Sequence, residues 1–439
     1  MSQHSTIREL RSRIDDISSA IEAQELLLRD LYSERSEAQQ KLNFFLDPMA
    51  RLPLELQSHI FLQISVDSHS NPELNGLPMV LLTVSRMWRD IALSTPRLWC
   101  MLVMDYLPRG PDYSQICDMW LSRARSLPLS LTLSGSPPLE QDVRDLVKRY
   151  RDQVASLTLK LSPYDDEYNL LSLYLLFRPD EDSRLSSLKT LSIGAREMAY
   201  FRGIDEWLNV FRAAPVLSSF TLYNTFTNEI DDSQPLYLAS LEILHLGQPY
   251  PSMMLGESST SCAILQYLTL PALKTLSLSE YDIPNEEFVA FFSRSAPPLE
   301  SLDVAISSRE PVVSQVFCHI PTLTHLKLSA VAHDGAADPF LPFLELLGKS
   351  SDILPNLCKL AFHTDFPVTI DYEKVLHMLE FRVSSCPVRL EGFSLVFPKS
   401  RAQYYDFTPY LPNDRVRSSL RKLAGDGLDI YLGSVENLL

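Results

Sequence analysis

The stretch "LTLPALKTLSL", residues 268–278, decides how most of this chain is read. Leu273, Leu276 and Leu278 stand in the order Leu-x-x-Leu-x-Leu, and the last two point to the same face of a short strand. The pattern recurs on both sides. Upstream it falls on Val154/Leu157/Leu159, Leu188/Leu191/Ile193, Leu217/Phe220/Leu222 and Leu241/Leu244/Leu246. Downstream it falls on Leu299/Leu302/Val304, Leu323/Leu326/Leu328, Leu357/Leu360/Phe362 and Leu390/Phe393/Leu395. The central anchors lie about 24 to 34 residues apart. Short helical patterns sit between them, such as "NEEFVAFFSRS" before "PPLESLDV" and "DYEKVLHMLEFRVSS" before "VRLEGFSL", and a proline often precedes the leucines.

That spacing fits leucine-rich repeats of an irregular kind. Alternating helix and strand at this period predicts an α/β solenoid with a parallel sheet over residues 127–439, starting at "LPLSLTL". One such unit cannot bury its own apolar face, so the units are stable only when stacked. The asparagine usual after the strand is mostly missing, with Tyr223-Asn224 the nearest match, which leaves the curvature open. Residues 162–185, with acidic flanks around an apolar patch, and residues 398–414, rich in Tyr and Pro, interrupt the rhythm. The tail "VRSSLRKLAGDGLDIYL" reads as a closing helix and strand that cap the open end.

Ahead of the repeats the pattern changes. Over residues 5–45 a heptad begins with Ile7 at position a. It continues through Ile14, Ile21, Leu28, Arg35 and Leu42, with Leu10, Ile17, Gln24, Leu31, Ala38 and Phe45 at d. All but Gln24 and Arg35 are apolar and no Pro or Gly intervenes, so a long amphipathic helix of coiled-coil character is expected. It either self-associates, pairs with a partner, or folds back on its own domain. A linker helix is expected over residues 105–126.

Residues 46–104 form the third region. In "RLPLELQSHIF" (51–61), Pro53 suits the first position of a helix, and Leu56 and Ile60 lie one turn apart with Leu52 at the entry and Phe61 extending the face. A second helical pattern follows in "LPMVLLTVSRMWRDIAL", with Val80, Val84, Trp88 and Ile91 at helical spacing. Thr95-Pro96 breaks it and "RLWCML" adds a last apolar anchor. So small a unit carries more large apolar groups than its core can hide, and an exposed apolar face marks a partner site.

Leu52, Pro53, Glu55, Ile60, Phe61, Val84, Trp88, Leu98 and Trp99 together resemble the F-box pattern. The heptad helix just before it, "MWLSRARSLPLSLTL" just after it and "LTLPALKTLSL" resemble the large group of F-box proteins of mushroom-forming fungi. The resemblance implies a non-catalytic substrate receptor of a Skp–cullin–F-box ubiquitin ligase. The F-box would dock on a Skp-family adaptor, and through it a cullin–RING ligase, while the leucine-rich region holds a target protein. It carries adaptor binding over to Leu52, Pro53, Leu56, Ile60, Phe61, Val84, Trp88, Leu98 and Trp99, either as contacts or as the core that shapes them. Leu56 and Ile60 face either outward or inward on the sequence alone. The linker "QISVDSHSNPELNGLP" is longer and more polar than the family's usual connection. An F-box scaffold acting outside ubiquitination is the alternative.

Between the repeat leucines, alternate residues face away from the core. These include Thr190, Ser192, Thr221, Tyr223, His245, Thr275, Ser277, Asp303, His325, Lys327, Lys359 and His363. Tyr223, His245, Asp303, His325, Lys327, Lys359 and His363 are the candidate target-binding residues. The late basic ones point to an acidic or phosphorylated partner, against the alternative of a plain solvated face.

Catalytic signatures do not assemble. "GKS" at 348–350 would need a glycine where Phe343 stands to make a phosphate-binding loop. There is no GxSxG, no His-Glu-x-x-His, and Cys318-His319 lacks partners at ligand spacing, so no cofactor or metal is expected. A formal charge of −16 over 439 residues argues against a general nucleic-acid binder. No apolar run approaches the roughly 18 residues that span a bilayer. The six cysteines (Cys100, Cys117, Cys262, Cys318, Cys358, Cys386) are scattered and no Asn-x-Ser/Thr sequon occurs. An intracellular place, cytoplasmic or nuclear, is expected.

Overall fold

The structure, a computed structural model, describes residues 2–433 except 68–75, 105–112, 136–140, 162–183, 202–203, 228–234, 248–260, 279–284, 307–314, 331–337, 365–369 and 398–411. The two interrupting segments therefore fall largely outside the described residues. The chain divides into two compact units, one of residues 1–101 with 119–127, the other of residues 102–118 with 128–439. Among the described residues no helix is long and apolar enough to cross a membrane.

The first unit is helical. It contains α1 (Ser2–Leu46), a 3-10 turn (Pro48–Arg51), α2 (Leu54–Asp67), α3 (Leu77–Val84), α4 (Arg86–Ser94) and a second 3-10 turn (Pro96–Trp99). The helical pattern expected to run through "LPMVLLTVSRMWRDIAL" is two helices. Ser85 interrupts it in extended conformation (φ −156°, ψ 167°), and its hydroxyl accepts the Trp88 N–H to cap α4. Pro53 precedes the first helical residue, and its carbonyl accepts the N–H groups of Leu56 and Gln57.

The second unit is α/β. Its twelve-stranded sheet is open and its strands lie in chain order. They are β1 (Met101–Met104), β2 (Leu129–Gly135), β3 (Val154–Leu161), β4 (Thr190–Phe201), β5 (Ser219–Thr227), β7 (Ile243–Gly247), β9 (Thr275–Leu278), β10 (Ser301–Ile306), β11 (His325–Ala330), β12 (Lys359–Thr364), β13 (Gly392–Val396) and β14 (Asp429–Gly433). The short β6 (Leu236–Tyr237) and β8 (Leu268–Thr269) pair separately. Each pairing from β2 to β14 is parallel. The connections contain α5 (Tyr113–Arg123), whose residues 119–123 belong to the first unit, α6 (Gln141–Arg149), α7 (Ile204–Ala213), α8 (Asn285–Ser295), α9 (Leu341–Leu347), α10 (Tyr372–Ser384) and α11 (Asp414–Gly425). Within the expected linker helix, α5 occupies the described part. The expected closing helix and strand are α11 and β14.

All the repeat leucines, and the Val, Ile and Phe that replace some of them, are buried. Two backbone devices repeat with them. Four times a turn places proline second and the first anchor leucine fourth. Leu217, Leu273, Leu323 and Leu357 donate their N–H to the carbonyls of Ala214, Leu270, Ile320 and Leu354. Proline's fixed φ suits that second position, which explains the prolines of the sequence pattern. The residue before each strand then offers one carbonyl to two N–H groups of the next strand's start. Lys189, Ser218, Glu242, Lys274, Glu300, Thr324 and Cys358 all do so. This staircase locks neighbouring strands into one register, so their leucines align row on row.

Among the described residues one charged side chain lies inside this unit. Arg382 of α10 is 1% exposed, and its guanidinium donates to the carbonyls of Leu347, Ile353 and Leu354 at 2.9, 2.7 and 3.1 Å. Burial lowers its pKa. The cation caps the Leu347 and Ile353 carbonyls at the end of α9 and in the following turn, and shares the carbonyl of Leu354, which sits at φ 49°, with the Leu357 N–H.

Candidate functional site

Two surfaces carry the sequence-identified residues. The first is on the helical unit. Along α2, Leu56 and Ile60 point outward, joined by Ile64, at 51%, 37% and 38% exposure. On α3, Met79, Val80 and Val84 are exposed as well. Leu52 is half-buried and Pro53 exposed. With Leu54 at 54% exposure, seven large apolar side chains on these two helices face solvent, while the core of the unit is made by others.

That core decides between the two roles left open for part of the expected docking set. Phe61, Leu98 and Trp99 are at most 2% exposed, so they are core and not contacts. Phe61 does not extend the Leu56/Ile60 face, because residues one position on in a helix lie about 100° away. It shares its face with buried Gln57 instead. Trp99 donates its indole N–H to the Ala92 carbonyl at 2.8 Å. It packs edge-on against Trp120 and lies under the Arg123 guanidinium at 4.4 Å. Trp88 is half-buried. Its ring lies 5.1 Å from Phe61 and its indole N–H reaches the Asp47 carboxylate at 2.6 Å.

Two residues absent from the sequence reading fix the Leu52-Pro53 entry. Gln57 donates its amide to the carbonyls of both Met49 and Leu52 at 2.7 Å. Asp47 accepts the Met49 N–H at 2.8 Å as well as the Trp88 indole. A buried amide between two carbonyls holds the turn rigidly, since leaving either unpaired costs about 1–3 kcal/mol. An open cleft of about 600 Å³ runs beside this turn, between Leu54 of α2 and Met87 and Ile91 of α4.

The second surface is the sheet face opposite the buried leucines. Register places Thr158, Ser192, Thr221, His245, Ser277, Asp303, Lys327, Ala361, Ser394 and Tyr431 in one row across β3 to β14. His325 and Lys359 are neighbours in the adjacent row, and Ser329 and His363 in the next. Tyr223 is 36% exposed and covers Gly194. The structure corrects the expected cationic character here. Lys327 is tied to Asp303 at 2.8 Å. His245 is held below its ordinary value, chiefly by burial and against the opposing pull of Asp303, so it is neutral at neutral pH. His325, on the same strand as Lys327, and Lys359, on the next strand, are exposed.

His245, Ser277 and Asp303 stand in three successive positions of the row. The serine is in the middle, whereas a relay needs the histidine between acid and hydroxyl. The Gly348-Lys349-Ser350 run closes the C-terminal end of α9 and has none of the N-terminal amide geometry a phosphate needs. Among the described residues no three His, Cys, Asp or Glu side chains converge as metal ligands. The five cysteines described are free thiols.

No protein-family model matches this chain, and no curated protein is similar to it.

Proposed function

We propose that the protein is the substrate-recognition subunit of a Skp–cullin–F-box ubiquitin ligase. In this reading residues 46–104 form an F-box that docks on the Skp-family adaptor. The α/β unit is a leucine-rich-repeat-like solenoid that presents a target protein, and it takes no part in catalysis. The observation that carries the reading is the outward apolar face of Leu56, Ile60, Ile64, Met79, Val80 and Val84 beside a rigid Leu52-Pro53 turn. Burying such side chains against a partner contributes roughly 25 cal/mol per Å² of apolar area. The strand order and the staircase of backbone bonds support the solenoid. The row from Thr158 to Lys327, mostly short polar groups, supports hydrogen-bonded capture of an extended target segment. An acidic or phosphorylated target would meet Lys359 and His325, because Lys327 is already paired.

The test is co-purification with the Skp-family adaptor of wild type, Leu56→Asp, Ile60→Asp and the double variant Leu52→Asp/Pro53→Ala. Binding by wild type and its loss in all three supports the reading. The surface substitutions at 56 and 60 leave the core in place, so a folded wild type that fails to bind overturns it. Adaptor binding without any change in the half-life of captured proteins would favour the scaffold alternative.

A further inference from the structure

The heptad stripe of α1 faces solvent along its length. Ile7, Leu10, Ile14, Ile17, Ile21, Leu28, Leu31 and Leu42 stand between 47% and 61% exposed. The F-box reading makes no use of this stripe, and its two polar interruptions say what covers it. Gln24 occupies a d position and Arg35 an a position.

In a parallel, in-register pair, a meets a and d meets d, so Arg35 would bury its charge against Arg35 of the other copy. In an antiparallel pair, a meets d. One antiparallel alignment then sets Gln24 of each copy opposite Arg35 of the other, and two-fold symmetry makes this happen twice. The same alignment sets Ile17 against Leu42, Ile21 against Ala38 and Leu28 against Leu31, so every other seam position in the overlap stays apolar. Glu25, next to Gln24, brings a carboxylate toward the same guanidinium. In the single chain that guanidinium lies over its own Tyr32 ring at 5.0 Å, a weak surface contact that is easily exchanged.

We propose that α1 is an antiparallel homodimerisation helix whose register is set by Gln24 facing Arg35 of a second copy. The overlap is about 30 residues, or some 45 Å of seam, which is long enough for a stable two-stranded coil. The proposal is independent of the F-box reading.

Three measurements on the full-length protein test it. Sedimentation at micromolar concentration is expected to show a dimer, and a monomer overturns the proposal. Differently tagged Ile17→Cys and Leu42→Cys chains, mixed and oxidised beside a wild-type control, are expected to give the mixed disulfide. A disulfide formed by Ile17→Cys chains alone would mean a parallel pair and overturns it. Gln24→Glu is expected to lower the dimer dissociation constant by about tenfold, through two new Arg–Glu contacts. In a parallel pair it would place glutamate against glutamate and raise that constant, which also overturns the proposal. Adaptor capture is expected to be unchanged in Gln24→Glu, and dimerisation unchanged in Leu56→Asp, so the two readings fail separately.

Discussion

The two units spend their large apolar side chains in opposite ways. In the α/β unit the repeat leucines are sealed inside, and the face they leave outward is mostly polar, with serine, threonine and the Asp303–Lys327 ion pair across its middle. In the helical unit a small core built on Phe61, Leu81, Ile91, Leu98 and Trp99 coexists with apolar side chains left facing water on α1, α2 and α3. A repeat completes its neighbour, so the α/β unit satisfies itself. In the helical unit a stripe on α1 and apolar side chains on α2 and α3 stay exposed among the described residues. The lesson is that exposure of Leu56 is informative only beside the burial of Leu276. The same residue type, in the same chain, is hidden where stability is wanted and shown where a partner is expected.

The sharpest way to break this comparison is to truncate one residue from each class within residues 46–104. Trp99→Ala is expected to cost about 3–5 kcal/mol in urea unfolding of the helical unit. Leu56→Ser is expected to stay within about 0.5 kcal/mol while weakening adaptor capture. Equal costs would mean that both residues are core. Next in size is Arg382→Met, which removes the guanidinium from three carbonyls in the α/β unit, of which that of Leu354 keeps the Leu357 N–H. A loss of about 3 kcal/mol is expected in urea unfolding, and a neutral result would mean that water replaces the guanidinium. A gain comes from Ala296→Gly. Ala296 follows α8 at φ 40°, and glycine removes a left-handed penalty of about 1 kcal/mol, read as a raised melting temperature.

The smallest effect tests the polar face. The pKa of His245 is lower in the folded chain than its ordinary 6.5, so as pH falls below 6.5 the unfolded chain takes up its proton first. Stability that is full above that pH is therefore lost as the pH falls toward the folded value. His245→Gln is expected to flatten the fall of melting temperature between pH 6.5 and 5. An unchanged slope would place the titration elsewhere.

Much of the fold was legible because its signal is local. Leu-x-x-Leu-x-Leu is a two-residue period with a proline turn ahead of it, and each element needs only its own few residues to declare itself. The site was harder, because it depends on which helix face turns inward. The pattern groups Phe61 with Leu56 and Ile60 by hydropathy, but Gln57 takes the inner face by bonding two turn carbonyls, and Phe61 goes with it. Ser85 was equally hidden, since one capping serine inside an apolar helical run looks like any polar residue until its backbone is seen extended. The neutralised Lys327 needed the strand register. Asp303 is distant in sequence and adjacent in the sheet, and the two residues hold the same place in consecutive repeats. Aligning the repeats on their leucines would have exposed that pair.

Because the twelve strands lie in chain order, each is hydrogen-bonded only to the strand before it and the strand after it. Pulled from its C-terminal end, such a sheet has no long-range pairing that must break first. It should therefore yield strand by strand under load, with β14 leaving before β13, and a chain shortened by one strand should keep the rest intact.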